Sequence, residues 1–281
     1  KTLKDVRRNV INAIKEKNQV NLNDLKTLER IKFDLESIPK NNGCFQLKTN
    51  DGQSISLELD YELSEMKKDE IFLKHGHNAL KEYMDETYDN FSKKVDLGLD
   101  FLKQFDFKHF ITDRDGTVSN YCGRYQSSIQ PIYNAQCLSE FRKAISGRAV
   151  ILTSAPLFDI GLADISVQPH SEYILAGSKG REILIENETH TYPIEKNQKQ
   201  KLKELNNTLE NLLKDENYAS FRYIGSGLQY KFGQTTLARQ DKNNSIPKEK
   251  SLNLKRKIKD ILKELDPESR YFSLEDTGKD L

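Results

Sequence analysis

Three short apolar segments that end in polar residues constrain this chain more than any other feature. They read FKHFIT from Phe107, AVILT from Ala149 and YILAG from Tyr173. Helical patterning from about Asn134 to Ile145 lies between the first two. Strand, loop, helix, strand is the order of a parallel sheet with crossover helices, which makes the expected fold class α/β. Open sheets of this kind place ligands at the carboxyl ends of their strands, so chemistry is expected just past those ends.

The first segment runs directly into Asp113-Arg114-Asp115-Gly116-Thr117. Two carboxylates spaced i, i+2, where the chain leaves strand geometry, can both face one cavity. One can then attack an electrophile while the other manages protons. A phosphate substrate would add more negative charge, so a magnesium ion is expected, with Asp113 and Asp115 as protein ligands. A calcium loop fits poorly, because D-x-D-G is one acidic step short and Arg124 stands where its final glutamate would be. A surface Asp-Gly turn is the plain alternative. AVILT closes on Thr153, with Ser154 next to it, and a hydroxyl at either position can bind a phosphate oxygen.

DRDGT matches the first signature motif of the haloacid dehalogenase (HAD) superfamily. That resemblance implies Asp113 as nucleophile, Asp115 as general acid and base, and Thr153 or Ser154 as the phosphate-binding second motif. Gly177-Ser178-Lys179-Gly180-Arg181-Glu182 resembles the G-x-H-G-A-E core-to-lid segment of trehalose-6-phosphate phosphatases, with Lys179 in place of the histidine. FITDRDGTVSNYCGRY, SIQPIYNA and GLQYKFGQTTLARQ make the resemblance specific to the nematode branch of that family, which carries a helical domain before the core. Motifs support it from about residue 107 to 281, and general layout alone supports it before that. It implies a magnesium-dependent hydrolysis of trehalose 6-phosphate through an aspartyl phosphate. The alternatives are a phosphatase of another sugar phosphate and a catalytically silent module that binds protein partners through its first hundred residues. It also implies substrate contacts from Lys179, Arg181 and Glu182, and from Lys231 and Arg239 in the lid. Gln229 departs from the acidic residue of the family's E-D-K-G strand. A phosphate-loop reading of GSKGRE fails on spacing.

Around this centre, the stripes Val6, Val10, Ile11, Ile14 and Leu25, Leu28, Ile31, Leu35 predict a helical hairpin, with Asn21 or Asn23 capping its second helix. Alternation from Cys44 to Leu59 about Asn50-Asp51-Gly52 predicts a β-hairpin, and a helix is expected from about Ser64 to Phe105. Beyond Ile185 the pattern predicts a helix at about Asn197 to Lys214, two strands, and a helix from Lys248 to Leu265. The expected division is a mostly helical domain with a β-hairpin (1–104), a HAD-type core with a Rossmann-like parallel sheet (105–185) and an inserted α+β cap (186–281). The family also places a lysine and an acidic magnesium motif after the cap. Neither is found, and Lys279 instead resembles the lid-return segment, so the chain is expected to be an incomplete catalytic unit.

With 44 basic and 43 acidic residues there is no bulk field to recruit nucleic acid or an anionic membrane. No stretch approaches the roughly 20 apolar residues of a membrane-spanning helix. Cys44, Cys122 and Cys137 lie in no C-x-x-C arrangement and are expected to be free thiols in a cytoplasmic protein.

Overall fold

The computed structural model describes residues 2–41, 44–48 and 54–281. Helices α1 (Thr2–Lys15) and α2 (Leu22–Glu36) form the expected helical pair. Val6, Val10 and Ile11 are buried on one stripe of α1, and the Asn21 side chain caps α2 by accepting from the Asn23 amide at 2.9 Å. A small sheet follows, of β1 (Lys40–Asn41), β2 (Cys44–Lys48) and β3 (Ser54–Leu57), with Phe45 opposite Leu57. The predicted Asn50-Asp51-Gly52 turn lies outside the described residues.

Where the sequence predicts one helix, the structure has two, α3 (Asp60–Thr87) and α4 (Phe91–Leu102). The break falls at Asn90, whose φ of 57° is left-handed and tolerated by asparagine better than by most residues. Gly76, at φ 80°, puts a further kink inside α3.

The central sheet has the order β4 (Phe110–Asp113), β5 (Ala149–Leu152), β6 (Ile174–Gly177), β7 (Glu182–Ile185), β8 (Glu188–Thr191). The first three strands are parallel and the last two antiparallel. The β7–β8 hairpin was not legible in the sequence. Its turn residues, Glu186 and Asn187, both have positive φ (49° and 71°), but Glu-Asn is a weaker signal than the Asn-Gly usual there. Helix α5 (Ile132–Ala144) and the short α6 (Leu162–Ile165) pack on the sheet over Leu138, Ile151, Leu157, Leu162 and Leu175. The mixed α/β architecture with a helical amino-terminal region is the fold class expected.

A last unit comprises α7 (Lys196–Leu212), α8 (Glu216–Ala219), the hairpin β9 (Leu228–Lys231) and β10 (Gln234–Leu237), and α9 (Lys248–Leu265). Its core is Leu205, Leu209, Phe221, Leu237, Leu254 and Ile258. A further cluster joins Val6, Val10, Ile11 and Leu28 to Ile132 and Ala135 of α5, so the amino-terminal helices share a core with the α/β unit.

Candidate active site

Asp113 closes β4, which is the edge strand of the sheet, and its side chain is exposed. Among the described residues its carboxylate makes no hydrogen bond or ion pair. Two residues on, Asp115 is about a quarter exposed, and its carboxylate receives the Arg114 guanidinium on one oxygen. Thr153, the residue after β5, donates to the other oxygen at 3.4 Å. The parallel pairing of Asp113 with Leu152 brings these two strand ends side by side. Thr153 is itself fixed: its hydroxyl accepts from the Ala155 amide, and its backbone bonds Ala176 and the Lys179 amide.

Asp115, Thr153 and Ser154 form one wall of a cavity of about 290 Å³. Gln229, Lys231, Thr236, Gln240, Lys279 and Asp280 form the facing wall, with Tyr121 and Cys122 at the side. This volume is at the lower edge of ordinary small-molecule sites, about 300 Å³ and upward. Lys231 is the most unusual group in it. Burial, helped by the nearby Lys179 charge, pushes its ammonium down to about 8, against a smaller upward pull from Asp280. Among the described residues it makes no hydrogen bond or ion pair, so a partly buried cation faces the hydroxyl and carboxylate of the opposite wall. Such a group favours an anionic ligand.

Asp113 does not line this cavity, so of the two carboxylates expected to face it only Asp115 does, and Lys179, Arg181, Glu182 and Arg239 also lie elsewhere. Lys179 is exposed, in a turn where Ser178, Lys179 and Gly180 all have positive φ, and does not line the cavity. Arg181 is exposed. Glu182 accepts from the Leu157 amide and from the Ser178 hydroxyl, which in turn accepts from the Phe232 amide at 2.9 Å; the glutamate thus ties β7 to the β9–β10 turn. Arg239 is turned onto Asp276 at 2.9 Å and onto the Ser251 hydroxyl, inside the last unit. Tyr121, Gln229, Gln240 and Asp280 line the cavity without having been singled out as site residues. Only Gln229 carried a sequence signal, as the departure from an acidic position.

Among the described residues no group of three or more His, Cys, Asp or Glu side chains converges as a metal site. The donors present still suit magnesium, which takes one or two carboxylates and keeps several waters. Asp113 offers an unpaired carboxylate, and Asp115 keeps one oxygen clear of Arg114.

Comparison with known proteins identifies the family. Residues 1–91 match the model of the trehalose-6-phosphate phosphatase N-terminal helical bundle domain. A UDP-forming alpha,alpha-trehalose-phosphate synthase 2 from Aphelenchoides avenae is 34% identical over 239 residues, covering 80% of this chain and 18% of that protein. A trehalose-phosphatase from Brugia malayi is 29% identical over 206 residues, covering 69% of this chain and 42% of its own length. The chain thus spans about a fifth of the length of the synthases it matches and under half of that phosphatase. A solved trehalose-6-phosphate phosphatase from Aspergillus fumigatus aligns at 13% identity and a TM-score of 0.31, over 63% of this chain and 61% of that one. Residues 110–281, more than half of the sequence, match the model of the trehalose-6-phosphate phosphatase C-terminal region, and the chain belongs to the trehalose-6-phosphate phosphatase family.

Proposed function

We propose that the protein hydrolyses trehalose 6-phosphate to trehalose and phosphate through an aspartyl phosphate on Asp113. The observation that carries the reading is the cavity in which Asp115 and Thr153, just past the ends of β4 and β5, face the partly buried Lys231. Family membership supports the substrate class.

Asp113, exposed and unpaired, attacks phosphorus in line, and the bond to the sugar oxygen breaks. Asp115 gives that leaving oxygen its proton, then takes one from the water that cleaves the aspartyl phosphate. Thr153 and Ser154 donate hydroxyls to the transferring phosphate. Lys231 supplies positive charge from the other wall, and the unit that carries it excludes water. Asp113 and Asp115 would hold a magnesium ion, which supplies charge neutralisation between phosphate and carboxylates. Lys179, Arg181, Glu182 and Arg239 remain proposed substrate contacts, reached only if the turn and the last unit shift when substrate binds. The proposal includes a cytoplasmic setting, which the three free cysteines favour, and 1–104, 105–185 and 186–281 as its domains, with β8 at the start of the last one pairing back onto the central sheet.

A second reading, a phosphatase-type module without turnover, is favoured by Lys179 and Gln229 standing where the family resemblance has a histidine and an acid. Phosphate release from trehalose 6-phosphate by the full-length protein separates the two. We expect release with magnesium and none in a strong chelator. No release in magnesium selects the silent module, and full release in chelator refutes the metal.

A further inference from the structure

We infer that α3 is a working part of the reaction site: Glu62, Glu65 and Asp69 are positioning residues that hold Arg114 against Asp115 through the segment between Asn120 and Tyr133. The inference rests on the phosphatase reading for its consequence, and on packing for its geometry. Glu62, Glu65 and Asp69 occupy positions i, i+3 and i+7, one stripe of the helix, and are 8%, 2% and 3% exposed. A helix that only needed to pack would bury apolar side chains there, because a buried carboxylate is costly unless it is paired.

Among the described residues, every long-range hydrogen-bond partner of Glu62 and Glu65, and two of the partners of Asp69, lie in the segment that follows the D-x-D-G-T motif. Glu62 accepts from the Arg124 guanidinium at 3.0 Å. Glu65 accepts from Asn120 at 2.8 Å and from the Tyr133 hydroxyl at 2.7 Å, with Lys68 beside it at 2.8 Å. Asp69 accepts from the amides of Ile132 at 2.7 Å and Tyr133 at 3.3 Å. Those two amides open α5, whose own N-cap is Pro131 and supplies no side-chain acceptor. A carboxylate from α3 therefore caps a helix of the α/β core. Arg7 of α1 completes the grip, pairing with Asp69 at 2.8 Å and donating to the Ile129 carbonyl at 2.7 Å.

The same segment fixes Arg114 from its other side. Arg114 is 3% exposed, donates to the carbonyl and the hydroxyl of Ser128, and lies over the Tyr125 ring. Among the described residues its remaining side-chain hydrogen bond is to the Asp115 carboxylate. The helix sets the segment, the segment sets Arg114, and Arg114 sets the direction of the group that must protonate the leaving oxygen. Such support decides whether a reactive group is held within a fraction of an ångström of its productive place.

The test uses Glu65→Gln, which keeps the volume of the side chain, and Tyr133→Phe, which removes one hydroxyl and leaves the ring. Turnover by the full-length protein is measured on trehalose 6-phosphate, whose alkoxide leaves only with a proton, and on an aryl phosphate, which needs little help. Amide hydrogen exchange is followed in parallel. We expect kcat on the sugar phosphate to fall by about tenfold or more and on the aryl phosphate by less than about threefold, with KM little changed. Exchange should quicken between residues 116 and 130 and not in α7 or α9. Equal loss on both substrates at matched folded fraction, or unchanged exchange in that segment, overturns the inference. If the unsubstituted protein hydrolyses neither substrate, the phosphatase reading falls, and hydrogen exchange alone decides whether α3 holds the segment.

Discussion

Replacing Lys231 with methionine should make the protein more stable while it weakens substrate binding. The ammonium is partly buried with no hydrogen-bonding partner among the described residues, and its burial lowers it from 10.5 to about 8. At about pH 7 the lysine is charged in both folded and unfolded chains, and the folded chain bears the whole penalty, about 3 kcal/mol. As pH rises from about 8 to 10.5 the folded chain loses the proton while the unfolded chain still holds it. The penalty is relieved over that window, falling below about 1 kcal/mol near pH 10. Methionine fills the same space with no charge to desolvate. Asp280 is not orphaned by the change, because it also accepts from the Ser226 hydroxyl. Since the cavity admits some solvent, we expect Lys231→Met to gain about 1–3 kcal/mol at about pH 7 and little near pH 10. Urea unfolding at the two pH values measures the difference directly. In turnover, kcat/KM for trehalose 6-phosphate should fall by about tenfold or more, since the anion loses its buried counter-charge. Destabilisation at neutral pH, or a gain that does not shrink as pH rises, would refute the argument that this lysine is held at a cost in order to meet an anion.

Asp113→Asn should reduce turnover to well under a tenth while leaving the unfolding free energy within about 0.5 kcal/mol, because the exposed carboxylate makes no contact that folding depends on. Retained turnover would remove Asp113 as nucleophile. Asp115→Asn should cost more on the sugar phosphate than on an aryl phosphate, and should also destabilise the chain by about 1–3 kcal/mol, since the buried Arg114 loses its anion; equal kinetic losses would argue against proton transfer. Gly177→Ala should destabilise by about 1–3 kcal/mol, read from urea unfolding, because the new methyl would sit 2.5 Å from the Leu157 nitrogen and 2.7 Å from its Cα. An unchanged midpoint would show that the backbone there yields freely.

What the sequence determined by itself is local. DRDGT follows a strand, so its carboxylates were assignable to a strand end, and AVILT placed Thr153 at the next one. Helix α9 has the bounds its apolar stripe predicts, Lys248 to Leu265, because a 3.6-residue period is written in neighbouring residues. The Asn90 break and the β7–β8 hairpin were missed, since one left-handed residue or a Glu-Asn turn is a small local preference that tertiary packing completes. The tertiary structure alone decided which residues meet. It brought Asp280 and Gln240 to the cavity that holds Asp115, and turned Arg239 away onto Asp276. It also set Glu65 against Asn120 and Tyr133, 55 and 68 residues further along the chain. No periodicity records such pairings, because a buried carboxylate on a helix stripe looks in sequence like any solvated charge until the fold shows which donors it faces.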